Sequence, residues 1–383
     1  MADDPAGCSL TSRVALYIGG LLGPFGSGVV AAMLPELSRS FAVSQGTAAS
    51  SLTSYLLPFA IVMLVSGGLG ERWGLSRSIR VAYAGYAVVA LLAAVAPWFW
   101  LFQVSRVLQG IANAFTTPLL LAKLAAVTPK DRLGRALGTY GAMQAVGQTS
   151  APLFGGIAAE GAWQWAFVGL ALVAGVLAVS PLPGESHDGS PRAPVALRGA
   201  WRSSVLLIGG VAFVAWACLA GLPFLVSFRL DDAFSLSPGA RGLVLTAYGV
   251  AGVIGARLTG GAVDRFAQRA IVCAGLLVGA LSVGAIGLVA WLPVIVVAWA
   301  VGGVCGQLIL VGIHATVLVG GTSGRGAIIS VVTALRFLGM SAAPAAFTEL
   351  YRSDAALGFL LPAALLALAI PVVAVWWPRD APD

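Results

Sequence analysis

The chain has 383 residues, 59% of them apolar and 10% charged, with 22 Lys and Arg against 15 Asp and Glu and a mean hydropathy of +0.93. A soluble domain carries about 25% charged residues, so most of this chain belongs where charge is unwelcome, and a soluble enzyme is excluded. The basic excess does not mark nucleic-acid binding, because Lys and Arg fall in short clusters between apolar runs, the pattern of cytoplasmic loops in a membrane protein.

The first residues are polar, with Asp3, Asp4 and Cys8 and no basic segment before an apolar one, so no cleavable leader is expected. A helix needs about 20 mostly apolar residues to cross a bilayer. Twelve such runs follow in order: 14–35, 47–70, 79–97, 99–127, 136–159, 164–182, 204–228, 242–263, 270–291, 293–319, 326–349 and 356–377. Cys218, Cys273 and Cys305 lie inside these runs, at spacings that suit neither a metal site nor a disulfide framework. With the N-terminus inside, fourteen Lys and Arg residues fall on the inner side, against Arg39, Arg229, Arg241 and Arg352 outside; both termini are therefore expected in the cytoplasm. The polar stretch 183–203 reads as a cytoplasmic linker between two six-helix halves, 1–182 and 204–383.

The halves echo each other. Gly67, Glu71 and Arg72 in GGLGERWG recur as Gly260, Asp264 and Arg265 in GGAVDRFA, 193 positions later, and Gly147 and Pro152 recur as Gly339 and Pro344, 192 later. Six crossings per half is an even number, so both halves insert with the same orientation, as a parallel repeat. Such a duplication suits a carrier in which two similar halves pivot about a shared site.

Three stretches carry chemistry. In the loop after the second run, Gly67, Glu71, Arg72 and Gly74, with Asp264 and Arg265 as the second copy, read as a cytoplasmic latch: Gly67 lets helices approach, and the acid can cap a helix N-terminus and pair with an arginine. In the fourth run, Arg106, Gln109 and Asn113 share one helix face. An arginine at membrane depth costs about 2.5–3.5 kcal/mol on insertion scales, so Arg106 either faces a wet cavity or a partner, or snorkels to the outer headgroups. In the fifth run, Gly147, Pro152, Gly155 and Gly156 bend the helix and allow tight packing.

On these stretches the chain resembles the major facilitator superfamily, and in particular its twelve-helix drug:proton antiporter branch. GGLGERWG is similar to that family's loop signature, with Glu71 where aspartate is usual and Leu75 in place of a basic residue. Arg106 to Gly110 matches its Arg-x-x-Gln-Gly pattern. Gly147 to Gly156 resembles a signature associated with exporters, with Ala151 in place of glycine. The resemblance implies an all-α integral membrane fold, export by alternating access, a midplane site, and a bacterial plasma-membrane location.

Further site candidates come from the residues themselves. Arg336 lies some ten residues into the eleventh run, about 15 Å deep by helical rise, with Gln144 as its repeat mate and Gln148 one turn above that. Arg336 and Gln144 are expected to meet across a central cavity; the alternative for Arg336 is a structural partner. His314 could carry a coupling proton or be a packed residue. No acid lies in the first run, where many drug:proton antiporters carry one. Two mid-span arginines and no mid-span acid predict a cavity that favours neutral or anionic compounds over cations. The expected partners are the bilayer, a small-molecule substrate and protons, acting on a monomer with no cofactor, metal or nucleic acid. No Gly-x-x-x-x-Gly-Lys loop exists to cradle ATP phosphates, and no cluster of His, Asp, Cys or Ser suits an enzyme. Import or uniport of an organic anion or sugar is the alternative to export.

Overall fold

The computed structural model describes residues 10–183, 203–263, 266–319 and 325–377. Their regular structure is helical: α1 (Leu10–Gly28), α2 (Leu34–Ser40), α3 (Gln45–Trp73), α4 (Leu75–Ala94), α5 (Phe99–Ala114), α6 (Thr117–Val127), α7 (Lys130–Gly161), α8 (Gln164–Val179), α9 (Ser203–Cys218), α10 (Pro223–Phe234), α11 (Pro238–Val263), α12 (Gln268–Leu288), α13 (Leu292–Val319), α14 (Arg325–Ser353) and α15 (Ala355–Trp376). Every apolar run of the sequence lies on helix, but three of them are broken. The first splits at a 3-10 turn over Ala31–Met33, the fourth at Phe115 and Thr116, and the seventh between Cys218 and Pro223. In each case the second piece begins with proline in its first turn: Pro35, Pro118 and Pro223. Proline has no N–H to give to the preceding turn, yet its fixed φ starts a new helix well.

Among the described residues, ten helical segments are long and apolar enough to cross a membrane by length and composition, against the twelve expected. The two that fall short are α7 and α8. The 16-residue α8 is brief, and α7 carries Gln144, Gln148, Thr149 and Ser150 in its middle and a charged first turn. Leu172, Val176, Ile254, Leu281 and Leu368 are all exposed. An apolar exterior of this extent is stable against hydrocarbon rather than water.

Local signals set the ends. The Ser44 hydroxyl accepts from Thr47 N–H at 3.1 Å at the start of α3, and Asp354 Oδ1 accepts from Ala356 N–H at 2.7 Å at the start of α15. Between α3 and α4 the chain reverses at Gly74, whose φ of 89° strains any residue with a Cβ.

The dominant contacts repeat between the halves. α1 packs on α7 as α9 packs on α14; α3 on α5 as α11 on α13; α4 on α8 as α12 on α15. Even the closest approaches recur. A methyl group at Gly110 would collide with the Tyr55 carbonyl, and one at Gly303 with the Tyr248 carbonyl, both pairs displaced by 193 positions. Gly147 meets the Leu21 carbonyl as Gly339 meets that of Phe213, 192 positions on. Two long seams join the first half to the second, α3 with α14 and α7 with α11.

Candidate functional site

Between the two seams lies a central cavity walled by both halves. Gln148 enters it from α7, Trp216 from α9, Tyr248 from α11, Trp299 and Gln307 from α13, and Arg336 from α14. The Arg336 guanidinium lies over the Trp216 ring, 4.1 Å from its centroid, and its buried Nε has no hydrogen-bond partner. Trp299 is fixed by donating Nε1–H to the Leu245 carbonyl at 3.1 Å and by packing on Tyr248 with centroids 4.8 Å apart. Among the described residues no carboxylate lines this cavity. A guanidinium there keeps a positive potential with only an aromatic face against it, and a cation away from bulk water is stabilised most by an anionic acceptor. Amides, indoles and one guanidinium around an apolar volume can hold a flat, largely apolar molecule that carries an oxygen acceptor or a negative charge.

The expected polar partner across the cavity is corrected by the geometry. Gln148, not Gln144, shares the cavity wall with Arg336; Gln144 lies about one helical turn away and does not line it. Leu310 lines the cavity from α13, and His314 follows four residues later on the same face.

Arg106, Gln109 and Asn113 are together, as their spacing predicts, but away from the cavity. All three are buried within the first half. Arg106 donates to Gln109 Oε1 at 2.6 Å and to the Gly26 carbonyl at 3.2 Å, and its guanidinium lies 4.3 Å from the centroid of the Tyr55 ring. Arg106 is 0% exposed, so it neither snorkels nor wets the cavity; it takes the partner alternative, through a carbonyl, an amide and a ring. Its repeat mate Trp299 packs on Tyr248, itself the repeat mate of Tyr55, so the two halves fill equivalent positions with a cation–ring pair and a ring–ring pair.

The Gly-Pro stretch of α7 sits between two neighbours. Gly147 and Gly155 abut the carbonyls of Leu21 and Val29, and Gly156 abuts that of Pro238 at the start of α11. Pro152 turns its carbonyl toward Gly242. The latch residues are less engaged. A methyl at Gly67 would meet nothing within 4 Å, so no helix approaches there, contrary to expectation; Gly134, Gly138 and Gly141 on α7 stand equally clear. Arg72 is exposed and Gly74 makes the turn. The Glu71 side chain, Asp264 and Arg265 lie outside the described residues.

At the opposite end the halves are tied by charges that sequence reasoning left among the loops. Arg241, 0% exposed, donates to both oxygens of Glu36 and to Asp231 Oδ1. Arg39 pairs with Asp231 at 2.6 Å and with Glu36 at 3.2 Å. Asp232 accepts from Tyr351 Oη at 2.8 Å and from Gln45 Nε2 at 3.4 Å, and Glu160 accepts from Ser237 Oγ at 2.9 Å. Below this tie, Thr53 donates to the Ser341 carbonyl at 2.6 Å, and Phe59 meets Phe337 edge to face at 4.8 Å. The signal available in the sequence was Arg39 and Asp231, which occupy repeat-related positions.

A family model described as Major Facilitator Superfamily matches residues 16–231. Among curated proteins, the uncharacterized MFS-type transporter EfpA of Mycobacterium tuberculosis is 31% identical over 156 residues, 40% of this chain and 29% of that protein. The drug efflux pump JefA of the same organism is 28% identical over 193 residues, 50% of this chain and 37% of that one. The match thus spans about a third of the length of these relatives. Among solved structures, the nucleoside transporter NupG superposes with a TM-score of 0.80 at 10% identity, covering 96% of this chain and 100% of that chain. A bacterial homologue of the human lysosomal transporter Spinster, inward-facing and occupied, gives 0.78 at 16% identity over 98% and 97%.

Proposed function

Because the chain belongs to the Major Facilitator Superfamily, we propose that it is a secondary active transporter that exports a small lipophilic neutral or anionic compound in exchange for protons, by alternating access. The observation that carries the substrate class is Arg336: a guanidinium in the central cavity with an unpartnered Nε, an indole beneath it and, among the described residues, no carboxylate in the wall. A neutral or anionic acceptor completes its hydrogen bonding, whereas a cationic drug adds repulsion.

In this reading the chain crosses the membrane twelve times, in two parallel-repeat bundles, 1–182 and 204–383, joined by the linker 183–203. α7 and α8 are crossings too, α8 with Leu172 and Val176 facing outward and α7 with Gln148 turned to the cavity. Both termini face the cytoplasm of a bacterial cell. The end tied by Glu36, Arg39, Asp231 and Arg241 is then the outer end, and the end with Gly67 and Gly138 the inner one. The structure is accordingly read as open to the cytoplasm. Arg106, Gln109 and Asn113 serve by holding α1 to α3 and α5. Gln148, Arg336 and His314 line or continue the substrate and proton path, and the latch around Glu71 and Asp264 closes the inner end in the opposite state.

Export is favoured by the Gly-Pro stretch of α7 and by the names of relatives, among them the multidrug resistance protein B homolog of Mycobacterium tuberculosis, 33% identical over 130 residues. A guanidinium-lined cavity also suits uptake of an organic anion, so direction is tested together with coupling. In inverted vesicles carrying an imposed pH gradient, an anionic or neutral lipophilic compound is expected to collapse the gradient. Transport of the same compound without proton movement removes the antiport reading.

A further inference from the structure

A second cavity lies wholly within the first half, away from the one described above. α4 and α5, with the end of α3, enclose a groove of about 710 Å³. Along α4 it runs from Arg77 to Val89, twelve residues that rise roughly 18 Å. That depth matches one leaflet of a hydrocarbon core about 30 Å thick. Its wall is apolar, and at Gly85 it is bare: a methyl group there would meet nothing within 4 Å. Val81 and Leu108 are exposed along it, so the groove faces lipid.

One mouth of the groove is chemically different. Arg72 and Arg77 both line it and are exposed, and neither is ion-paired among the described residues. Beside them Ser78 lines the same mouth; it is 7% exposed and its hydroxyl has no hydrogen-bond partner. Trp73 closes the side, stacked on Phe115 with centroids 6.0 Å apart. Two guanidiniums and a buried hydroxyl at the end of an apolar channel one leaflet deep match the shape and charge of a phospholipid with an anionic headgroup. Basic pockets between membrane helices bind such headgroups, and guanidinium forks suit phosphate oxygens.

We propose that this groove is a binding site for an anionic phospholipid, with the phosphate held by Arg72, Arg77 and Ser78 and one acyl chain laid along α4 toward Val89. A free phosphate would leave the channel empty, and a zwitterionic lipid would place a cationic amine among the arginines. Lipid capture here does not depend on what the central cavity carries.

The test uses the delipidated full chain in detergent, with phosphatidylglycerol, phosphatidylcholine or inorganic phosphate added at equal concentration. Phosphatidylglycerol is expected to raise the unfolding midpoint by about 2 °C or more above phosphatidylcholine, and native mass spectrometry to find it retained on the protein. The double variant Arg72→Ala/Arg77→Ala is expected to lose that preference, and Gly85→Trp, which fills the channel while keeping both arginines, to lose it as well. Should the double variant not fold, Gly85→Trp and the single change Arg77→Gln decide the matter alone. Equal stabilisation by both lipids, an equal effect of inorganic phosphate, or an undiminished preference in the variants that fold would overturn the assignment.

Discussion

At the scale of single residues, the two deep arginines have opposite fates. Both lie against a ring and both have an unpartnered Nε, but the Arg106 fork is occupied by Gln109 and the Gly26 carbonyl, whereas Arg336 lines the central cavity. Arg106→Lys keeps the charge but cannot span both acceptors from one planar group. It is expected to cost about 1–3 kcal/mol, read as a lower thermal unfolding midpoint, with little change in substrate preference. Trp216→Leu removes the cation–ring contact, worth about 0.5–2 kcal/mol. It is expected to weaken binding of anionic compounds several-fold in an equilibrium assay, because Arg336 is no longer held toward the cavity. The depth of both arginines was legible in the sequence, since each interrupts an apolar run. Their different surroundings were not, because the Arg106 partners Tyr55 and Gly26 and the Arg336 partner Trp216 come from other helices at long separations. Gln144 was chosen by repeat symmetry, but Gln148, one turn further along the same face, is the one that lines the cavity.

At the scale of elements, α7 holds the molecule together on two sides, and its glycines divide by what they face. Gly156 meets the Pro238 backbone of the opposite half, whereas Gly138 meets nothing within 4 Å. Gly156→Ala is therefore expected to cost about 1–3 kcal/mol through overpacking of the α7–α11 seam. Gly138→Ala is expected to be neutral or stabilising by up to about 1 kcal/mol, as alanine favours helix. Thermal unfolding of the two variants side by side checks this, and equal losses would remove the seam as the reason for the glycine pattern. Hydropathy located every apolar helix, since a run of that length has no other stable form in a membrane. The breaks at Pro35, Pro118 and Pro223 were legible as prolines but were passed over, because the flanking residues stay apolar on both sides.

At the scale of the whole molecule, the tie around Arg241 joins the two halves at one end. Four charges, Glu36, Arg39, Asp231 and Arg241, balance there, so removing one leaves an uncompensated partner beside the buried guanidinium, typically costing 3–5 kcal/mol. Glu36→Gln and Arg241→Ala are expected to shift the population toward the state open at that end, seen as faster labelling of a cysteine placed at Ser341. Conversely, the pair Gln45→Cys and Asp232→Cys, in a chain with its native cysteines replaced, is expected to be joined by a short cleavable bifunctional thiol reagent and to stop transport until the link is cleaved. The tie escaped sequence reading because loop charges on each segment look solvated until the halves are docked. The repeat that relates those halves was visible, because glycines at close crossings recur at 192 and 193 positions.

The most direct test of the central claim, that the Arg336 guanidinium selects the substrate, is uptake into proteoliposomes of three lipophilic aromatic compounds of similar size: a carboxylate, a neutral amide and an amine cation. The wild-type chain is expected to move the carboxylate best and the cation least. Arg336→Gln is expected to lower carboxylate transport by about 10- to 100-fold, the loss of a charge-assisted hydrogen bond, and to leave the amide nearly unchanged. Best transport of the cation, or a carboxylate rate untouched by Arg336→Gln, would contradict the account.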